Sequence, residues 1–122
     1  MKGLLYLPEV GGVADQLKEL VEGRIPEENL EVYRSLESLS QRFRQPFDDL
    51  GVAVLMTGNY EELKNISSIR DLLRDLQIIL VIPDQKEETV ALAHQLRPRL
   101  LTYIDGDLSM ITNVLGKMLN TT

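Results

Sequence analysis

Four carboxylates are the side chains of this sequence best placed to do chemistry: Glu9, Asp84, Asp105 and Asp107 each follow a short apolar run. Hard oxygen donors brought together in this way could hold a divalent cation. Each also has a plainer use. Asp107 suits the amino cap of a helix, Asp84 the opening of a loop or helix, and Asp105 a polar turn around Gly106. Thr57-Gly58-Asn59 is a second small polar loop, able to hydrogen-bond a ligand or simply to start a helix. Gly11-Gly12 stands where a phosphate-cradling loop would lie, but neither G-x-G-x-x-G nor G-x-x-x-x-G-K-[ST] is present, and Glu9 would repel phosphate. A plain turn is the better reading there. His94, the single histidine, has no Ser or Cys at catalytic spacing and reads as an ordinary helix residue. The absence of cysteine removes disulfides, thiolate zinc sites, iron-sulfur clusters and cysteine nucleophiles. No catalytic residue, cofactor or metal-ligand set is assigned, and the chain is not expected to be an enzyme.

Charge narrows the partners. Thirteen basic against nineteen acidic residues leave a net charge of −6, and the aromatics are few, with no Trp. A nucleic-acid binder wants a basic stripe interleaved with stacking rings, so neither nucleic acid nor an anionic membrane is expected. Arg97-Pro98-Arg99, and Arg42 with Arg44, are small basic points on this acidic background. Arg97 and Arg99 suit gripping a carboxylate on a partner protein, or are plain solvated loop residues.

The elements that must position these groups follow from periodicity. The 122 residues are 43% hydrophobic and 26% charged, the composition of one globular domain. Residues 1–119 are expected to form it, with 120–122 as a fraying tail. Pro8 and Glu9 cut the first apolar run too short for a signal peptide, and no run spans a bilayer, so a soluble, cytoplasmic protein is expected. Five runs rich in branched residues read as strands: Gly3 to Leu7, Leu30 to Arg34, Val52 to Met56, Ile78 to Ile82 and Leu100 to Ile104. Near-continuous apolar character suits strands covered on both faces, whereas Leu30-Glu31-Val32-Tyr33-Arg34 alternates like an edge strand. Between them the period is helical: Val13, Leu17, Leu20 and Val21 make one stripe, and Leu36, Leu39 and Phe43 a second. A third helix is expected from about Tyr60 to Asp75, with Glu61, Glu62, Lys64, Arg70 and Arg74 solvated. A fourth runs from about Lys86 to Leu96, ahead of Pro98. The fifth runs from Leu108 to about Leu119. Strand and helix thus alternate five times, and right-handed crossovers favour an α/β doubly wound parallel sheet of order 2-1-3-4-5. Ligands of such a sheet gather outside the carboxyl ends of the strands, where Glu9, Thr57, Asn59, Asp84 and Asp105 all fall.

This five-unit pattern resembles the receiver domain of two-component response regulators, a flavodoxin-like fold. The resemblance implies an acidic pair after the first strand, an acceptor Asp ending the third, a Ser or Thr ending the fourth and a Lys ending the fifth. Those groups would hold magnesium, attack the phosphoryl group and bind its oxygens. Here the first strand ends Leu7-Pro8-Glu9, the third Leu55-Met56-Thr57-Gly58, the fourth Val81-Ile82-Pro83-Asp84 and the fifth Tyr103-Ile104-Asp105-Gly106-Asp107. One carboxylate replaces two, Met56 or Thr57 replaces the acceptor, Pro83 or Asp84 the hydroxyl, and Ile104 or Asp105 the lysine. The likeness is therefore to a degenerate pseudo-receiver. Receivers dock partners through the fourth helix, fifth strand and fifth helix, which here carry His94, Arg97, Arg99, Tyr103 and Met110. The expected function is signalling by protein-protein contact, with a kinase, a regulator or a second copy as partner and no phospho-aspartate. The alternative is a small-ligand or metal-binding regulatory domain working at the carboxyl edge.

Overall fold

Three central strands without a charged residue in their interior can be stable only if both faces of their sheet are covered, and that is how the chain folds. The computed structural model describes residues 2–9, 11–46 and 50–120. In chain order the elements are β1 (Lys2–Tyr6), α1 (Gly12–Glu22), a single 3-10 turn (Glu27–Asn29), β2 (Leu30–Tyr33), α2 (Leu36–Phe43), β3 (Leu50–Met56), α3 (Tyr60–Ser68), α4 (Arg70–Leu73), β4 (Gln77–Ile82), α5 (Glu87–His94), β5 (Leu100–Tyr103) and α6 (Ser109–Asn120). The strands form one sheet of order β2-β1-β3-β4-β5, and every neighbouring pair is parallel. This is the expected α/β doubly wound, flavodoxin-like arrangement.

Alternation along the strands divides the core in two. Leu5, Val54, Met56, Ile79 and Val81 face α1 and α6, where they meet Leu17, Val21, Ile111 and Leu115. Leu4, Leu55, Leu80 and Ile82 face the other way and meet Leu39 and Phe43 of α2, Leu63 and Ile66 of α3, Leu73 of α4 and Ala93 of α5. The alternating segment is indeed at an edge, with every residue of β2 half-buried. On that edge Glu31 takes the guanidinium of Arg42 in a two-pronged pair, Nε at 2.6 Å and Nη2 at 3.2 Å.

Two expected helices are shorter than their periodicity suggests. The third is broken at Ile69 (φ −109°, ψ 19°), so α3 and α4 are separate. The Ser68 hydroxyl donates to the Asn65 carbonyl at 2.6 Å, and Arg70 Nη1 donates to the Ser67 carbonyl at 3.3 Å. Side-chain donors of this kind satisfy the last carbonyls of a turn and so end the helix. The fourth stops at His94, and the chain leaves it through Arg97 at φ 51°, a left-handed backbone that favours glycine. Of the tail expected at 120–122, Asn120 belongs to α6, while 121–122 and the Leu119 side chain lie outside the described residues. Among the described residues no helix is long and apolar enough to cross a membrane.

Candidate functional site: the carboxyl edge of the sheet

The parallel register delivers the ends of β1, β3, β4 and β5 to one edge, and the turns beyond them carry the expected residues. Most of these residues serve the backbone around them. Thr57 is fully buried, and its hydroxyl and its amide both donate to the Val81 carbonyl, each at 2.9 Å. The side chain therefore extends the ladder between β3 and β4 and turns away from any ligand. Asn59 caps α3, its Oδ1 accepting the Glu62 amide at 2.9 Å. Removing such a cap costs about 1 kcal/mol. Asn59→Ala is accordingly expected to lower stability by about that amount in urea denaturation, with Asn59→Ser close to wild type.

The remaining acids divide in the same way. Asp84 accepts the Lys86 amide at 2.9 Å, and that bond holds its carboxyl below the usual range. The Thr89 hydroxyl adds to the effect from close by, although it is buried and has no partner in hydrogen-bonding geometry. Asp107 accepts the Ser109 amide at 2.9 Å at the start of α6, and the Ser109 hydroxyl and amide together lower its carboxyl too. Asp105 is exposed in a turn closed by the Gly106 amide on the Tyr103 carbonyl at 2.9 Å. The oxygen set Glu9, Asp84, Asp105 and Asp107 does not gather: among the described residues no three Asp, Glu or His groups come close enough to hold a metal ion. Gly11 and Gly12 both have positive φ, 81° and 54°, which makes their segment a turn that glycine tolerates without strain.

One pairing at this edge escaped the reading of the sequence. The Glu62 carboxylate, expected in solvent, is half-buried and accepts the Gly58 amide at 2.7 Å. Above Gly58 it approaches Glu9: a Cβ added to Gly58 would lie 2.7 Å from Glu9 Cδ and 3.0 Å from Glu62 Oε1. The signal was available, since Asn59-x-x-Glu62 has the spacing of a capping box. Below this pair, burial raises the Tyr6 phenol above its ordinary value, and the charge of Glu62 raises it further.

The expected partner face lies at the β5 edge. His94 closes α5 and is exposed, as are Arg97 and Arg99, with the Arg99 amide donating to the Ile78 carbonyl at 2.7 Å. Tyr103 is half-buried, its ring packed against the core beneath α2 to α5. Met110, on the first turn of α6, is 50% exposed; Tyr60 is the other large hydrophobic exposed among the described residues. Compared with models of protein families, with curated proteins and with solved structures, the chain matches none.

Proposed function

We propose that this chain is a receiver-like signalling domain that works by protein-protein contact and carries no phosphate on aspartate. The observation behind the reading is the state of the third strand's end. Of Met56 and Thr57, the two residues where the receiver likeness puts an acceptor, Met56 is a buried thioether and Thr57 has its hydroxyl turned inward onto the Val81 carbonyl. A buried hydroxyl already donating to the backbone is neither a phosphate acceptor nor a free donor to a transferred oxygen. Met110 is an apolar side chain exposed on the turn that opens α6, within the face this reading uses. Contact through α5, β5 and α6 would use it together with Tyr103, His94, Arg97 and Arg99.

A second reading rests on Glu9 and Glu62. Two carboxylates that close together above Gly58 could share a divalent cation at the carboxyl edge. An amide NMR titration of the labelled protein separates the two. Magnesium with beryllofluoride, which mimics a phosphoryl group in an intact receiver, is expected to move no resonance. Shifts around Thr57 and Asp84 with beryllofluoride present would overturn the first reading. Shifts at residues 9, 58 and 62 with magnesium or calcium alone would establish the second. Incubation with a small phosphodonor is expected to leave the mass of the protein unchanged.

A further inference from the structure

Opposite the carboxyl edge, the segments that lead into β4 and β5 border an open cavity of about 480 Å³, whose charged side chains are all exposed. Its wall carries Arg70 at the start of α4, Arg74 just after α4, and Arg97 in the turn after α5. Asp71 and Asp75 stand in the same wall, over a floor that includes the buried Leu73, Leu76 and Leu96. Among the described residues none of these arginines is paired with a carboxylate, and the side chains of Arg74 and Arg97 make no hydrogen bond at all. That is unexpected on a chain of net charge −6, where acids outnumber bases. Folding does not explain the residue type at 97 either: φ 51° is a conformation that glycine would adopt without strain.

We infer that this cavity binds a small phosphorylated polyol, with the phosphate on the guanidiniums of Arg70, Arg74 and Arg97 and sugar hydroxyls donating to Asp71 and Asp75. The volume falls within the range of small-molecule sites, roughly 300–1,000 Å³. Guanidinium forks match phosphate oxygens in pairs, which Lys would not do. A bare anion would leave the two aspartates repelling it, whereas hydroxyl donors turn the same carboxylates into acceptors. The site lies apart from the carboxyl edge and shares only Arg97 with the contact face above.

The test is an amide NMR titration of the full chain with ribose 5-phosphate as probe, beside ribose and inorganic phosphate. Ribose 5-phosphate is expected to shift residues 70–76 and 95–97 in a saturable way, inorganic phosphate to bind the same residues more weakly, and ribose to do nothing. A charged hydrogen bond lost from such a site weakens binding by about tenfold or more. Arg97→Gly is therefore expected to bind the probe at least that much more weakly while melting no lower than wild type, which separates loss of the site from loss of the fold. Arg74→Met, which keeps the aliphatic stem, is expected to weaken binding in the same sense. The absence of shifts, or unchanged affinity in Arg97→Gly, would overturn the site. Equal affinity for ribose 5-phosphate and inorganic phosphate would overturn the role given to Asp71 and Asp75.

Discussion

Removing the Glu31 carboxylate is expected to destabilise the protein by about 2 kcal/mol, in proportion to how far the pair is sheltered from water. Glu31 Oε1 accepts from Arg42 Nε at 2.6 Å and from the Tyr33 hydroxyl at 2.7 Å, and Lys2 Nζ lies 3.6 Å from Oε2. The side chains of Arg42 and Glu31 are 12% and 21% exposed, so the pair sits between the fully wet and the fully buried cases. It also joins β2 to α2 at the edge of the sheet, where no further strand supports them. Glu31→Ala takes away the carboxylate and leaves a half-buried guanidinium short of its best partner. Glu31→Gln keeps the shape and removes only the charge, and is expected to cost less.

The same cluster predicts both limbs of a pH profile. The bond from Arg42 holds the Glu31 carboxyl below its ordinary value of 4.5, with Tyr33 and Lys2 adding to it against the cost of burial. A depressed carboxyl contributes stability that is present above its unfolded value and is lost as pH falls through the folded one. Burial, with the Glu31 carboxylate beside it, pushes the Tyr33 phenol up to about 12. A raised phenol contributes stability below its unfolded value of 10.0 that is lost as pH rises above it. Urea denaturation should thus find the gap between wild type and Glu31→Gln narrowing from pH 7 to pH 3, and Tyr33→Phe less sensitive between pH 9 and 11. A gap of equal size at pH 3 and pH 7 would mean that the charge of Glu31 contributes nothing.

Placing an aspartate at the end of the third strand is not expected to create a phosphate acceptor. Thr57→Asp is expected to lose about 3–5 kcal/mol, the cost of leaving an uncompensated charge in a buried site. The wild-type side chain is fully buried and donates to the Val81 carbonyl, so a carboxylate there would set oxygen against oxygen. The adjacent Gly58 amide offers it no bond, because it already donates to Glu62. Desolvation would raise this carboxyl, so the folded state would bind its proton more tightly than the unfolded chain. The variant is therefore expected to regain stability as pH is lowered, the reverse of Glu31. Thr57→Val, which loses only one hydroxyl bond, should cost about 1 kcal/mol and show no such pH dependence. Thermal melts at pH 5 and pH 7 decide the matter. A Thr57→Asp protein of wild-type stability that takes up phosphate from a small donor would show that the third-strand end can act as an acceptor site.

The two halves of this protein were unequally visible in its residues. Period was enough for five strands covered on both faces, because apolar runs such as Val52 to Met56 and Ile78 to Ile82 can be satisfied only with helices above and below, and the right-handed crossover added the order of the sheet. Alternation in Leu30 to Tyr33 marked the edge for the same reason: one face of that strand carries Glu31 and Tyr33. Asn59 and Asp107 were legible as helix starters, since a short side-chain acceptor before a helix satisfies local amides whatever the rest of the chain does. Local hydrogen bonds need only local sequence.

What the sequence determined by itself, then, was architecture, through the alternation of two periods, together with the absence of thiol chemistry. Only the tertiary structure decided which polar groups are left over. It turned the Thr57 hydroxyl inward, brought Glu9 and Glu62 together across Gly58, paired Glu31 with Arg42 eleven residues away, and set Arg70, Arg74 and Arg97 around one cavity from two separate segments. The physical reason is range. Hydrophobic periodicity repeats within one element and can be counted, but a contact between polar side chains of different elements depends on how the strands stack and how each helix ends, as at Ile69 and Arg97.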